Sequence, residues 1–117
     1  MSTASNRRQY ERVAVAAGAQ FRRIPSADPA RGLDAHLYDV SVGGLSLELT
    51  SQAEPGQYLK VLFTLPKGPG HEPPIAALIE VKWSSALSSG VSKVGGQFVA
   101  IRDADLSRLS KFISPAA

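Results

Sequence analysis

Apolar and polar residues alternate with a period of two over much of the chain, and this alternation constrains the fold most. It is clearest in the four segments 33–38, 45–50, 59–65 and 77–83. Successive side chains of a β-strand point to opposite faces, so each segment predicts a strand with one buried face. Glycine and proline turn signals separate the segments, as in antiparallel sheets. The pattern therefore predicts an all-β domain.

Two further segments and a helix complete the predicted architecture. Residues 13–24 and 96–101 are compatible with strands, and residues 84–92 are interpreted as a connection between strands. After Asp103 and Asp105, either of which could cap a helix, apolar residues recur at helical spacing as far as Ile113. We expect a small six-stranded antiparallel β-barrel that is plugged or flanked by a C-terminal α-helix.

Length and composition exclude several classes of protein. The 117 residues have room for one domain, and 44% hydrophobic and 20% charged residues are ordinary for a folded protein. The chain has no cysteine, which excludes disulfides and cysteine-based metal sites. No apolar run approaches the ~20 residues of a membrane span, and the N-terminus lacks the apolar part of a signal peptide. We expect a soluble, cytoplasmic protein.

Three arginines near the N-terminus, Arg7, Arg8 and Arg12, form the first candidate binding motif. The planar guanidinium group binds phosphate with two hydrogen bonds, stacks on bases and can pair with the edge of guanine. Three such groups could wrap a polyanionic ligand that carries guanine. The alternative is a solvated basic tail, since arginines are common near termini.

The second candidate motif is Asp39-Val40-Ser41-Val42-Gly43-Gly44, at the end of a predicted strand. The carboxylate of Asp39 can accept hydrogen bonds from the N1–H and the exocyclic amine of guanine, and Ser41 adds a short donor and acceptor. Gly43 and Gly44 allow close approach of the backbone or a tight turn. The alternative is an ordinary hairpin in which Asp39 and Ser41 hydrogen-bond their own backbone.

Together the two motifs resemble the signature of the PilZ family, which is Arg-x-x-x-Arg followed by Asp/Asn-x-Ser-x-x-Gly. Arg8 and Arg12 match its first part, and Asp39, Ser41 and Gly44 match its second part. The stretch 95–98, Gly-Gly-Gln-Phe, is also similar to a glycine-x-Phe stretch on the last barrel strand of the family. The resemblance covers roughly residues 7 to 113.

The resemblance implies a receptor for cyclic di-GMP. Because no residue pattern typical of a metal site or a catalytic triad is present, we also expect no catalytic activity, cofactor or metal. The arginines would hold the phosphates and a guanine, and Asp39, Ser41 and the backbone of Gly43 and Gly44 would hold a guanine against the barrel. A basic residue at the position of Arg7 goes, in the family, with an intercalated dimer of the ligand. Trp83 has an equivalent near the ligand in some members, although its alternation with Ile79 and Val81 equally fits a core residue. Gly96 is a further candidate for the ligand site.

These expectations divide the chain into a flexible arm (1–12), the barrel (13–102) and a helix packed on it (103–114). Ligand binding would draw the arm onto the barrel, and a downstream effector protein would recognise the new surface. Two alternatives are a ligand-independent PilZ-like adaptor and a small nucleic-acid-binding barrel. The retained arginine motif argues against the first, and the modest charge and few aromatic residues argue against the second. The sequence is compatible with a monomer or a homodimer.

Overall fold

The computed structural model describes residues 12–24, 33–65 and 73–114. These ranges contain six strands: β1 (Val13–Ile24), β2 (Leu33–Val40), β3 (Gly44–Leu49), β4 (Tyr58–Phe63), β5 (Ile75–Ser88) and β6 (Val91–Ile101). They also contain one helix, α1 (Asp103–Ile113). No helix in the described part of the chain is long and apolar enough to cross a membrane.

The six strands close into a barrel in the order β1-β2-β3-β6-β5-β4. Every neighbouring pair is antiparallel. Closure pairs the first and last strands of the sheet, β1 and β4, and so satisfies backbone groups that an open sheet would leave exposed. The predicted fold class, a six-stranded antiparallel barrel followed by a helix, is confirmed.

Alternating side chains point into the barrel and form its core. Strand β4 shows this most simply, because every second residue of it is buried and the others are exposed. Burial of one large apolar side chain stabilises a fold by about 1.5–3 kcal/mol. The largest fully buried side chains are Phe21, Leu37, Val40, Leu45, Leu47, Leu49, Leu59, Val61, Phe63, Ile75, Ile79 and Leu109.

The prediction of a connection over residues 84–92 is wrong. Strand β5 continues to Ser88 and β6 begins at Val91, so a tight turn at Ser89 and Gly90 joins them. Gly90 has a φ of 77°, in the region that favours glycine. All residues of β5 after Val81 are exposed. Because this part of β5 lies outside the core, no apolar alternation marks it as a strand.

Helix α1 packs against one region of the barrel through its apolar side. Leu109 and Ile113 are buried and belong to the same hydrophobic core as the inward side chains of the strands. Arg108 Nη2 donates to the Pro73 carbonyl at 2.9 Å, which joins the helix to the segment before β5. The helix is therefore part of the domain core and is held at its side by a hydrogen bond.

The predicted capping of the helix by Asp103 or Asp105 is wrong. The N-cap residue is Arg102, and it makes no side-chain capping hydrogen bond. Asp105 is instead 1% exposed and accepts hydrogen bonds from Arg102 Nε and Nη2 at 3.1 Å each and from Arg108 Nη1 at 3.2 Å. Its carboxylate therefore ties the first turn of the helix to two arginines rather than to the backbone.

We expect Asp105→Ala to lower the free energy of unfolding by roughly 1–3 kcal/mol, because it removes charge-assisted hydrogen bonds to two arginines. Asp103→Ala is the matched control, since Asp103 lies in the same helical turn but is exposed. Asp103→Ala removes the same charge near the helix N-terminus and should lower the free energy of unfolding by less than about 1 kcal/mol. Urea denaturation of both variants measures the difference. Equal losses would show that only the charge near the helix end matters.

Candidate ligand-binding site

Four residues from four strands form one row on the outer face of the barrel, and we call it the outer row. In the antiparallel register Asp39 faces Ser46, Ser46 faces Gly95, and Gly95 faces Trp83. At one end of the row Arg12 Nη1 donates to Asp39 Oδ1 at 2.7 Å. The two sequence motifs, which lie far apart along the chain, therefore meet on one surface.

A β-bulge in β2 turns Asp39 toward solvent. Leu37 and Asp39 lie two positions apart, yet they pair with adjacent residues of β3, so Tyr38 is the extra residue. Strict alternation from the buried Leu37 would point the Asp39 carboxylate into the core. After the bulge Val40 takes the fully buried position instead, and the Asp39 side chain is 28% exposed. Bulges commonly re-aim side chains next to functional sites.

A second bulge, in β5, does the same for Trp83. Val81 and Trp83 pair with adjacent residues of β6, so Lys82 is the extra residue. Continued alternation from Ile79 and Val81 would place Trp83 in the core. This was one of the two interpretations of Trp83 from the sequence, and a position near the ligand was the other. The structure has Trp83 42% exposed, with Lys82 beside it also exposed. Trp83 is therefore not a core residue.

Three glycines allow the strands and the Trp83 indole to approach closely at this surface. A Cβ at Gly95 would overlap the indole of Trp83, and a Cβ at Gly44 would overlap the carbonyl oxygen of Gly96. A Cβ at Gly96 would lie 2.6 Å from Ile79 Cδ1, inside the barrel. Gly95 thus allows the indole to lie across β6, Gly44 allows β3 to approach β6, and Gly96 leaves room for Ile79 of β5.

Ser41 holds the turn that joins β2 to β3. Its Oγ accepts hydrogen bonds from the N–H groups of Gly43 at 3.1 Å and Gly44 at 3.2 Å, and its own N–H donates to the Gly44 carbonyl at 2.8 Å. The Gly43 carbonyl accepts from Phe98 N–H at 2.9 Å, which fixes the turn against β6. For Ser41 the hairpin interpretation therefore describes the structure, whereas Asp39 pairs with Arg12 instead.

A cavity of about 220 Å³ lies beside the outer row. Ligand pockets for small molecules are typically about 300–1,000 Å³, so this cavity has room for only part of a dinucleotide. Its lining offers an indole, the backbone of glycines and two basic side chains. The lining residues are Arg12, Ser41, Gly43, Gly44, Lys82, Trp83, Gly95, Gly96 and Gln97.

The charges at the cavity favour an anionic ligand. The Arg12 side chain is 54% exposed, and Lys82 Nζ lies 3.2 Å from Glu80 Oε1. Exposed ion pairs contribute only about 0–1 kcal/mol. A phosphate group can therefore replace Asp39 as the partner of Arg12 at little cost, and this exchange would release the Asp39 carboxylate for other donors.

A second polar cluster borders the site on the outer face. The Tyr38 hydroxyl donates to Glu48 Oε1 at 2.5 Å, and Lys93 Nζ lies 4.3 Å from the centroid of the Tyr38 ring. The hydrogen bond to Glu48, together with its negative charge, raises the pKa of Tyr38. Because Tyr38 is the extra residue of the β2 bulge, these contacts hold the bulge that presents Asp39.

The structure brings together most of the residues that the sequence singled out. Six of them line the cavity: Arg12, Ser41, Gly43, Gly44, Trp83 and Gly96. Asp39 lies beside it, paired with Arg12. Arg7 and Arg8 lie outside the described residues, so their proposed contacts stay predictions.

Sequence reasoning missed Lys82, Gln97 and Ser46, and assigned no role in the site to Gly95. Lys82 faces the cavity because of the β5 bulge, and no local sequence signal marks that bulge. Ser46 occupies a polar position in an alternating strand and so was expected to be solvated, yet it is buried. Gly95 and Gln97 belong to the stretch 95–98, whose similarity to the glycine-x-Phe stretch of the family was the sequence signal that could have placed them in the site.

The cavity has a lining unsuited to a metal ion. None of its lining residues is a histidine or a carboxylate, and His36 is exposed on β2. No group of three or more His, Cys, Asp or Glu side chains that could hold a metal ion occurs in the ranges 12–24, 33–65 and 73–114. Indole, backbone amides and arginine are instead suited to a purine base with a phosphate.

Comparison with known proteins identifies the family and supports the fold. The family model for the PilZ domain matches residues 6–114. No curated protein matches the chain at a significant level. Among solved structures, the inhibitor of motility MotI/DgrA of Bacillus subtilis matches with a TM-score of 0.72 and 21% identity, over 92% of this chain and 49% of that one.

Two structures of YcgR from Escherichia coli are also similar. Its PilZ domain with c-di-GMP matches with a TM-score of 0.66 and 16% identity, over 92% of this chain and 88% of that one. YcgR in complex with c-di-GMP matches with a TM-score of 0.68 and 17% identity, over 92% of this chain and 44% of that one. The chain thus spans about half the length of MotI/DgrA and of the longer YcgR chain.

We expect Gly95→Ala to displace the indole of Trp83, because the new Cβ would overlap the ring. Trp83 is the only tryptophan of the chain, so its fluorescence reports on this position alone. The emission maximum of the variant should move to longer wavelength as the ring becomes more exposed to water. Gly18→Ala is the control, since a Cβ there meets nothing within 4 Å. Unchanged emission in Gly95→Ala would contradict the packing of the indole on Gly95.

Proposed function

The chain belongs to the PilZ family, and from this premise we propose that it is a receptor for cyclic di-GMP. The observation that carries the proposal is the meeting of the two motifs, with Arg12 Nη1 2.7 Å from Asp39 Oδ1 beside a cavity lined by glycines and Trp83. One surface thereby combines a phosphate-binding group, a guanine-recognising carboxylate and an aromatic ring.

Each group has a distinct role in the proposed complex. Arg12 binds a phosphate with charge-assisted hydrogen bonds and leaves Asp39. Asp39 then accepts hydrogen bonds from the N1–H and the exocyclic amine of a guanine, which adenine cannot supply in the same arrangement. Trp83 offers an aromatic surface to the base, and Ser41 keeps Gly43 and Gly44 at the cavity. No residue of this set is proposed to do catalysis.

The small cavity leaves most of the ligand outside it. At about 220 Å³ it takes one base, so the phosphates and the second base need other groups. We assign these contacts to Arg7 and Arg8, which precede Arg12 in the chain. Binding would then change the conformation of the segment 1–12, and a downstream effector protein would recognise the resulting surface.

Replacement of Asp39 tests the proposal most directly. Isothermal titration should show binding of cyclic di-GMP to the wild type, and Asp39→Ala should weaken it by at least about tenfold, because charge-assisted hydrogen bonds to the guanine are lost. Asp34→Ala is the matched control, since it removes the same charge from an exposed position on the same strand. It should bind as the wild type does.

Two results of this titration would contradict the receptor proposal. The first is no binding of cyclic di-GMP by the wild type at micromolar concentration. The second is equal affinity of Asp39→Ala and the wild type, since the carboxylate would then have no part in binding. In either case a ligand-independent adaptor within the same family would become the better interpretation.

The stoichiometry of the same titration tests the role of Arg7. We propose that Arg7 favours an intercalated ligand dimer, so the wild type should bind two cyclic di-GMP molecules per chain and Arg7→Ala only one. The additional arginine supplies charge to hold the phosphates of the second nucleotide. One nucleotide per wild-type chain would reject the dimer and would leave the receptor proposal intact.

A further inference from the structure

Ser46 carries a buried hydroxyl that no described residue satisfies. Its side chain on β3 is 1% exposed, and its Oγ has no hydrogen-bond partner in the ranges that the structure describes. Two other serines of the described ranges are buried, and both are bonded: Ser41 Oγ accepts from the backbone N–H groups of the turn, and Ser92 Oγ donates to the Ser51 carbonyl at 2.7 Å. An unsatisfied buried hydroxyl costs about 1–3 kcal/mol, so the position of this one requires an explanation.

The position of Ser46 is the centre of the outer row. Asp39 lies on one side of it in the register and Gly95 on the other. Gly95 has no side chain, so the space beside Ser46 is occupied by the Trp83 indole, which lies against Gly95. Both flanking groups are weakly held, because Asp39 is in a partly exposed ion pair and Trp83 is 42% exposed. A ligand that shifted either group would gain access to the hydroxyl.

We propose that Ser46 is a specificity-determining residue whose hydroxyl hydrogen-bonds the base of the bound ligand, an inference that rests on the proposed function. An ionised carboxylate only accepts hydrogen bonds, whereas a hydroxyl also donates. Guanine presents donors at N1 and at its exocyclic amine and an acceptor at O6. Asp39 matches the donors but cannot serve O6. The Ser46 hydroxyl, its neighbour in the outer row, supplies the donor that O6 requires.

This assignment explains why an unbonded hydroxyl is present in the free protein. A hydrogen bond that forms only in the complex contributes to ligand affinity, while its absence in the free protein lowers stability. An ordinary structural serine shows the opposite pattern, because its bond exists before the ligand binds. Ser92 is such a residue, on β6 and equally buried, but bonded to Ser51. Comparison of Ser46 with Ser92 therefore distinguishes a serine that contacts the ligand from a serine that stabilises the fold.

The test compares Ser46→Ala with Ser92→Ala in thermal unfolding without ligand and in isothermal titration with cyclic di-GMP. Ser46→Ala should unfold at the wild-type temperature or above it, since no bond is lost, and should bind roughly five- to tenfold more weakly. Ser92→Ala should unfold at a lower temperature and bind as the wild type does. Competition with cyclic di-AMP should show a smaller preference for guanine in Ser46→Ala, because adenine lacks the carbonyl at O6.

Three outcomes would overturn the assignment. If Ser46→Ala binds cyclic di-GMP with wild-type affinity, the hydroxyl does not contact the ligand, although the receptor proposal stands. If Ser46→Ala is destabilised as much as Ser92→Ala, the hydroxyl is bonded in the free protein. If Ser46→Ala lowers the affinities for cyclic di-GMP and cyclic di-AMP by the same factor, Ser46 does not determine specificity. Failure of the wild type to bind at all rejects the proposed function and this assignment together.

Discussion

The β-bulges in β2 and β5 are the constraint on which the candidate site depends. A strand that alternates without interruption sends every second side chain into the barrel, so Asp39 and Trp83 would follow Leu37 and Val81 into the core. One extra residue in each strand reverses this direction at the point where the site begins. A carboxylate and an indole therefore face solvent, while Val40 keeps the core filled. The sheet accommodates these irregular pairings and still closes into a barrel.

The bulges act together with glycine, because presenting a large side chain on a sheet also requires room for it. Gly95 is the neighbour of Trp83 across β5 and β6, and any larger residue would overlap the indole. Gly44 similarly allows β3 to approach the backbone of β6. The turn between β2 and β3 is held by Ser41, whose hydroxyl is used internally. Ser41 and the glycines thus set the backbone geometry of the site, whereas the side chains Arg12, Asp39 and Trp83 are partly exposed to solvent.

The sequence predicted the fold more completely than the site. Alternation located the strands wherever one face of the sheet is buried, as in β4, and failed for the end of β5, where both faces are exposed. The motifs located Arg12 and Asp39, but their pairing depends on the register of β1 against β2. Whether Trp83 belongs to the core could not be decided from alternation, since a bulge leaves no local signal. The burial of Ser46 could not be predicted either, because a polar residue in an alternating strand normally faces solvent.

The free protein holds several groups of the site in arrangements that a ligand can improve. Arg12 and Asp39 neutralise one another in a partly exposed ion pair, Trp83 leaves much of its ring in water, and Ser46 has no partner among the described residues. A nucleotide with a phosphate and a guanine would supply a better partner to each of these groups at once. Because these four residues lie in the outer row or at its end, their rearrangements would be coupled. In the proposed complex, a coupled change in a row that spans four strands, with Arg12 at its end, would provide a physical basis for transmitting occupancy of the site to the segment before β1, where Arg7 and Arg8 lie.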